Sequence, residues 1–393
     1  MTEAILAYGV DHAGQVVARD GDRVVDLALI DGLDVGREVW SSGSLNAFMA
    51  LGPDAWSSTQ TALATALSSG SVPAAAMRPL DEVSLVLAWG VADYVDFYAS
   101  EAHATHMGEL LRPDSPSLPA AWRHLPIGYH GRSSTVVVSG SEIPRPCGLT
   151  AGGDAAAPTF GPSGRLDVEV ELGFVVGVGS ARGQPIPAER AGEHVFGVVL
   201  VNDWSARDIQ GFEYQPLGPM LGKSFATSVS PWVVPLTSLS PWQVDGPVQQ
   251  PTPAPYLRVP EPRNLDIRLE LSVNGSVLSQ TSAAGLYWSM AQQLAHLTIN
   301  GASVRTGDLF ASGTISGWDP GSEGSLMELT RAGKSPLRLS DDSQRSWLAD
   351  GDIAVIRGWC CTDDGAVVIL DEVSGRIVAP LASGGPLVAE GSR

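Results

Sequence analysis

The sequence predicts a mainly β chain (α+β) with a few helices, and three observations carry that reading. Ile267, Leu269, Leu271 and Val273 alternate with polar residues and run into Asn274-Gly275, a hairpin turn that needs positive φ at both positions. Residues 134–138 are dominated by β-branched side chains. Helical spacing is confined to two short stretches.

Taken in order, residues 1 to about 30 alternate apolar pairs (Ile5-Leu6 then Tyr8, Val16-Val17) with turn signals such as Asp20-Gly21. Small antiparallel strands are expected there. Leu45, Phe48 and Met49 and, after Pro53, Leu63 and Leu67 predict one or two helices over 45–69. Small residues and proline accumulate over 68–79, which marks a domain boundary near residue 85. The expected domains are 1–85 and 86–393. Leu286, Met290, Leu294 and Leu297 repeat at helical spacing. Strands are expected at 352–357 and 367–370, and the Pro-, Gly- and Ala-rich stretches 144–164 and 247–262 read as loops.

The chain has 393 residues, 44% hydrophobic and 17% charged, so a large core is within reach and disorder is not the expected state. A net charge of −19 argues against nucleic acid or an anionic membrane as a partner. Cys147, Cys360 and Cys361 are odd in number and form no CxxC pair, which argues against a disulfide framework and against a thiolate zinc site. The first residues carry Glu3 and no basic segment, unlike a secretory signal, and no apolar run reaches membrane-spanning length. A soluble, cytoplasmic protein is the expectation.

The acids carry the chemistry. In LDVEVELG (166–173), Leu166, Val168, Val170 and Leu172 fall on one face of a strand, and Asp167, Glu169 and Glu171 on the other. Carboxylates at i and i+2 lie roughly 7 Å apart and can reach one cation. The same pattern also describes a half-exposed strand with a solvated acidic face. Asp96 lies between Val95 and two aromatics, and Asp203 follows an apolar run. Acids so embedded either pair with Arg207 and Lys223 or hold a hard cation. Asp96, Glu169, Glu171 and Asp203 form an all-oxygen set suited to Mg²⁺, Ca²⁺ or Mn²⁺ rather than zinc. His103 follows in the same segment as Asp96 and reads as a structural histidine or a base; His106 reads as structural or peripheral. GPMLGKS (218–224) is one residue short of a phosphate-binding loop, and no G-x-S-x-G elbow exists.

Five longer words resemble the fumarylacetoacetate hydrolase family: DFYASEAHATHMGELLR (96–112), HLPIGYHGRSS (124–134), LDVEVELGFVVG (166–177), the block 201–235 and FASGTISGWDPGSEGSLMEL (310–329). The resemblance runs in order from about residue 90 to about 360. It implies an N-terminal SH3-like small barrel, a C-terminal mixed β-sandwich roll, and a homodimer with a divalent ion in each subunit. It implies hydrolysis of the C–C bond of a diketo dicarboxylate, fumarylacetoacetate, to fumarate and acetoacetate. This is the last step of tyrosine and phenylalanine degradation. Acylpyruvate hydrolysis and β-keto acid decarboxylation on the same fold are the alternatives, and a non-catalytic metal-stabilised binding protein is the reading from another class. Carried over by position, the metal ligands are Asp96, Glu169, Glu171 and Asp203, the general base is His103 and its orienting partner Glu328. Arg207, Gln210 and Lys223 match the group that stabilises the oxyanion. Tyr98, Arg112, Tyr129, Gln210, Tyr214 and Thr314 match substrate contacts, and Lys223 and Thr227 match a second, structural ion site. The chain departs from the family's pattern at Ala226, where glycine is usual, at Thr306, where proline is common, and at Trp318 and the loop 158–164.

Overall fold

The computed structural model describes residues 6–152, 157–362 and 367–380. The start of the first predicted strand at Ile5, the middle of 144–164 and the last part of the expected 86–393 domain lie outside the described residues; the rest of 144–164, expected as a loop, carries the paired strands Cys147–Thr150 and Thr159–Pro162.

Among the described residues the fold is mostly β with a few helices. Five antiparallel strands form the N-terminal sheet, in the order Met77–Pro79, Arg23–Asp26, Val16–Asp20, Ala7–Asp11 and Leu85–Val86. Between them lie the helices Asn46–Met49 and Pro53–Ser69, separated by Gly52 at φ 91°. A central sheet runs Gly128–His130, Tyr94–Phe97, Leu309–Ala311, Val170–Val176, Val195–Asp203, Thr227–Val229 and Val136–Val138, with Val234–Pro235 paired at one side. A third sheet orders Ser276–Ser282, Arg268–Val273, Ile353–Cys361, Val367–Val378 and Glu142–Pro144.

The 274–275 hairpin has the geometry its residues demand, Asn274 at φ 50° and Gly275 at φ 77°. The helix expected from Leu286 begins four residues later, as Met290–Thr298. Ser289 caps it, in a reciprocal capping box with Gln292. Leu286 is still buried, but in the turn that leads into the helix.

The central sheet is covered on both faces. Leu172, Phe174, Val198 and Leu200 pack toward the third sheet and the Met290–Thr298 helix, while Val175, Phe196, Val199 and Val201 pack against the N-terminal segment. There the Phe196 ring lies 5.3 Å from Trp56, 5.7 Å from Phe48 and 5.9 Å from Tyr8. A backbone bridge between Tyr8 and Val233 (2.9 and 2.8 Å) ties the N-terminal sheet to the rest. This double covering overturns the reading of 166–173 as half-exposed: every residue of Val170–Val176 is buried, as are Asp167 and Glu169.

Candidate active site and metal centre

Three strands deliver the acidic cluster to one end of the central sheet. Asp96 comes from Tyr94–Phe97, Glu171 from Val170–Val176, Asp203 from the end of Val195–Asp203, and Glu169 from the residue before Val170. One carboxylate oxygen from each lies within 4.8 Å of the others, and all four side chains are buried. Gly313 helps to shape this end. Its N–H donates to Asp96 Oδ1 (3.1 Å), its φ is 74°, and a Cβ there would meet the Phe97 carbonyl oxygen at 2.1 Å, so the approach requires glycine.

The cluster is short of positive charge. Glu169 is compensated: Arg207 Nη2 donates to it at 2.7 Å and Lys223 Nζ also reaches it. Burial works to raise the Glu169 carboxyl, but the two cations outweigh it and hold the group well below the ordinary carboxylate range. Asp203 accepts from Lys223 Nζ (2.7 Å), Tyr129 Oη (2.6 Å) and Thr227 Oγ1 (2.9 Å). Glu171 is different: both its oxygens are buried and, among the described residues, neither has a hydrogen-bond partner. Burial, then the neighbouring carboxylates, pushes both Glu171 and Asp96 well up. A buried carboxylate with two orphaned oxygens, facing three others, fits a hard divalent cation with oxygen ligands.

Beside the cluster stands a histidine–carboxylate pair. His103 lies on the helix Glu101–Leu111, and its Nδ1 is 2.7 Å from Glu328 Oε2. Ser316 Oγ (3.0 Å) and Ser325 Oγ (2.8 Å) donate to the same oxygen. Burial opposes the charge on Glu328, but His103 and these hydrogen bonds outweigh it and keep the carboxyl well below its ordinary range. An ionised carboxylate only accepts, so Nδ1 of His103 carries the proton that faces Glu328, and in the neutral ring Nε2 is the basic nitrogen.

The remaining predicted residues are dispersed around this pair of groups. Tyr98 meets the His103 ring edge-on at 5.3 Å, and burial, then the charge of Glu328, keeps its hydroxyl protonated. Arg207 Nη1 donates to Gln210 Oε1 (3.2 Å). Thr314 is buried just beyond Leu309–Ala311. Arg112 ends the Glu101–Leu111 helix and donates to the Ser117 carbonyl (2.9 Å). Tyr214 ends the helix Arg207–Glu213, and its hydroxyl accepts from Gln215. Tyr129 is turned onto Asp203, and the Lys223 and Thr227 side chains converge on the same aspartate.

Asp167, grouped by alternation with Glu169 and Glu171, has another task. It accepts from Arg207 Nε (2.8 Å) and from the N–H groups of Leu326 and Met327 (2.8 and 3.2 Å), so it fixes Arg207 and the turn that carries Glu328. His106 is not peripheral: its Nδ1 lies 2.9 Å from Glu328 Oε1. Two signals for these residues exist in the sequence. His103 and His106 are three apart on a helix, hence on one face, and Ser325-x-x-Glu328 is a capping pattern.

The chain is similar to known proteins over nearly its whole length. The family model described as Fumarylacetoacetase N-terminal matches residues 7–88, and Fumarylacetoacetate (FAA) hydrolase C-terminal matches 93–367. The chain is 42% identical to Fumarylacetoacetase of Homo sapiens over 404 residues, covering 96% of each chain. It is 41% identical to Fumarylacetoacetase of Arabidopsis thaliana, covering 91% of this chain and 90% of that one. In fold it is similar to a fumarylacetoacetate hydrolase from Exiguobacterium antarcticum (TM-score 0.56, 16% identity, 95% of this chain and 99% of that one). It is also similar in fold to a putative HpcE protein from Mycobacterium smegmatis (TM-score 0.57, 20% identity, 95% and 99%). With both family models matched in order and full-length relatives above 40% identity, the chain belongs to the fumarylacetoacetate hydrolase family.

Proposed function

We propose that the chain hydrolyses the C–C bond of 4-fumarylacetoacetate, giving fumarate and acetoacetate. The observation that carries this is the oriented His103–Glu328 pair beside four buried carboxylates, one of them with no partner. Relatives named fumarylacetoacetase, spanning nearly the whole chain, support the choice of substrate. An intact base and orienting carboxylate also distinguish this reading from that of a non-catalytic metal-stabilised protein.

Breaking a C–C bond next to a ketone ejects a carbanion, which leaves readily only if delocalised. A 1,3-diketone meets that need, because its carbanion is an enolate. Asp96, Glu169, Glu171 and Asp203 would hold Mg²⁺, Ca²⁺ or Mn²⁺. When bound, such a cation supplies Lewis-acid stabilisation of the enolate charge. His103 Nε2 takes a proton from water as its oxygen attacks the carbonyl carbon; Glu328, ionised against Nδ1, stabilises the imidazolium that forms, and the imidazolium returns the proton to the enolate carbon once the C–C bond has broken. Base help of this kind contributes roughly 10²–10⁴ in rate. Arg207, clamped by Asp167 and Glu169, and Lys223 are fixed donors for the tetrahedral oxyanion. Gln210 spends its oxygen on Arg207, which leaves its amide N–H groups free to donate as well. Each such donor is worth about 3 kcal/mol. Tyr98, Arg112, Tyr129, Tyr214 and Thr314 are assigned to the substrate's carboxylate and carbonyl groups. Backbone oxygens near Lys223 and Thr227 are assigned to a second, structural ion.

The same reading makes the protein a cytoplasmic homodimer at the last step of tyrosine and phenylalanine degradation, with a small-molecule substrate and no nucleic-acid partner. No described helix is long and apolar enough to cross a membrane. The deciding experiment follows the conjugated diketone absorbance of fumarylacetoacetate after adding protein stripped by chelation, with and without restored Mg²⁺. Metal-dependent loss, with fumarate and acetoacetate as products, is expected. No loss in folded, metal-loaded protein overturns the assignment and moves the substrate to acylpyruvates or other β-keto acids.

A further inference from the structure

Glu328 serves two histidines, and it serves them unequally. Oε2 accepts from His103, Ser316 and Ser325, whereas Oε1 has one partner among the described residues, His106 Nδ1 at 2.9 Å. The Glu328 side chain is 1% exposed and that of His106 is 25% exposed. His106 therefore bridges the buried carboxylate and solvent. It opens onto a cavity of about 340 Å³ lined also by Glu109, Leu110, Glu323 and Arg331. The partly exposed His106 ring is braced edge-on by Trp318 at 5.8 Å.

We infer that His106 is a positioning residue for the proposed reaction: it fixes the plane of the Glu328 carboxylate and moderates the charge that Glu328 presents to His103. This rests on His103 acting as the base. The geometric part follows from the hydrogen bonds. Without His106, nothing described here holds Oε1, and a carboxylate anchored through one oxygen can turn about its C–C bond and misdirect the imidazole. The electrostatic part follows from the groups that face His106. Glu328 comes from the Leu326–Leu329 turn, Glu323 from the loop before it and Glu109 from the histidine's own helix, with Arg331 across the cavity. Three acids against one arginine favour the imidazolium. The hydrogen bond to Glu328, working against burial, raises His106 above its ordinary value. Once charged, His106 offsets part of the Glu328 charge that would otherwise help to protonate His103. His106 thereby weakens the field that Glu328 sets at the His103 ring.

The test is the pH profile of kcat/KM for wild type, His106→Asn and His106→Leu. Both variants remove the titrating charge, and the acid limb is expected to move up by roughly one pH unit in each. His106→Asn keeps an amide donor for Oε1. It is expected to retain more alkaline-side activity than His106→Leu, which loses roughly 10-fold or more. An acid limb that stays in place in His106→Asn, or a uniform loss with an unchanged profile, overturns the inference. If wild type does not cleave the diketone at all, it is the functional reading that has failed. The inference is then decided without substrate, by following the His103 imidazole ¹H–¹³C resonances against pH in wild type and His106→Asn. An upward shift of about the same size supports it and superimposed curves overturn it. The same measurement on His106→Asn decides the matter if His106→Leu does not fold.

Discussion

At one end of the strand Val195–Asp203, Phe196 sits among Tyr8, Phe48 and Trp56. At the other end, Asp203 sits among Asp96, Glu169 and Glu171. Both ends are buried and belong to one sheet, but their energetics are opposed. Fully burying each large apolar side chain stabilises the fold by about 1.5–3 kcal/mol. Each buried charge without a counter-charge works the other way by several kcal/mol, and among the described residues neither Glu171 oxygen has a hydrogen-bond partner. The apolar end stabilises a platform on which a locally unfavourable acidic end can persist. Substitutions at the two ends should therefore separate stability from activity.

The largest effect is expected from Glu171→Gln. Cleavage should fall by roughly 10³-fold or more, from several kcal/mol of lost charge stabilisation. Thermal melts of stripped protein should run in the opposite sense. The variant should melt above metal-free wild type, because a repulsive buried carboxylate is gone, while only wild type should gain strongly from added Mg²⁺. A stripped variant that melts lower would break the comparison. Next comes His103→Ala, expected to lose roughly 10²–10⁴ in kcat with little change in melting temperature. Near-normal turnover in a folded sample would remove the base from His103.

Phe196→Ala probes the other end. It should destabilise the protein by about 3–5 kcal/mol in urea unfolding while kcat, measured below the transition, stays near wild type. A parallel collapse of kcat would mean that the two ends are not independent. A further test concerns Asp371 on the strand Val367–Val378, which accepts from the Trp232 and Glu372 backbone N–H groups. Burial pushes its carboxyl up to about 7 from an ordinary 3.8. A folded-state value raised in this way gives stability that is fully present below the unfolded value and lost as pH rises through 7. Wild type should therefore lose more stability than Asp371→Asn between pH 4.5 and 8; equal losses would remove Asp371 as the cause.

Much of this was legible in the residues, for specific reasons. Asn274-Gly275 announced its hairpin because only φ-tolerant residues suit that turn. Asp96 and Asp203 stand out in the sequence because acids inside apolar runs need partners. Convergence of the four acids was not legible, since it depends on strand order: Leu309–Ala311 lies between the strands of Asp96 and Glu171. The burial of 166–173 stayed open in the sequence, because alternation in a strand shows that a face is polar, not that another sheet or helix covers it. The unbroken apolar run 195–201 was the better indicator of a sheet covered on both sides. His106 was undervalued because its partner is 222 residues away.

The Tyr8–Val233 bridge bears on how the protein can be divided. Residues 7–88 match a family model of their own, yet their backbone is stitched to the central sheet and their aromatic rings enclose Phe196. In engineering terms this segment behaves less like a detachable module than like the second half of a clasp. A chain begun at residue 90 would keep every proposed catalytic side chain and still lose the apolar surface that shields its main sheet from water. Fusion or truncation is better placed at the tips of exposed loops than at the junction between the two matched segments.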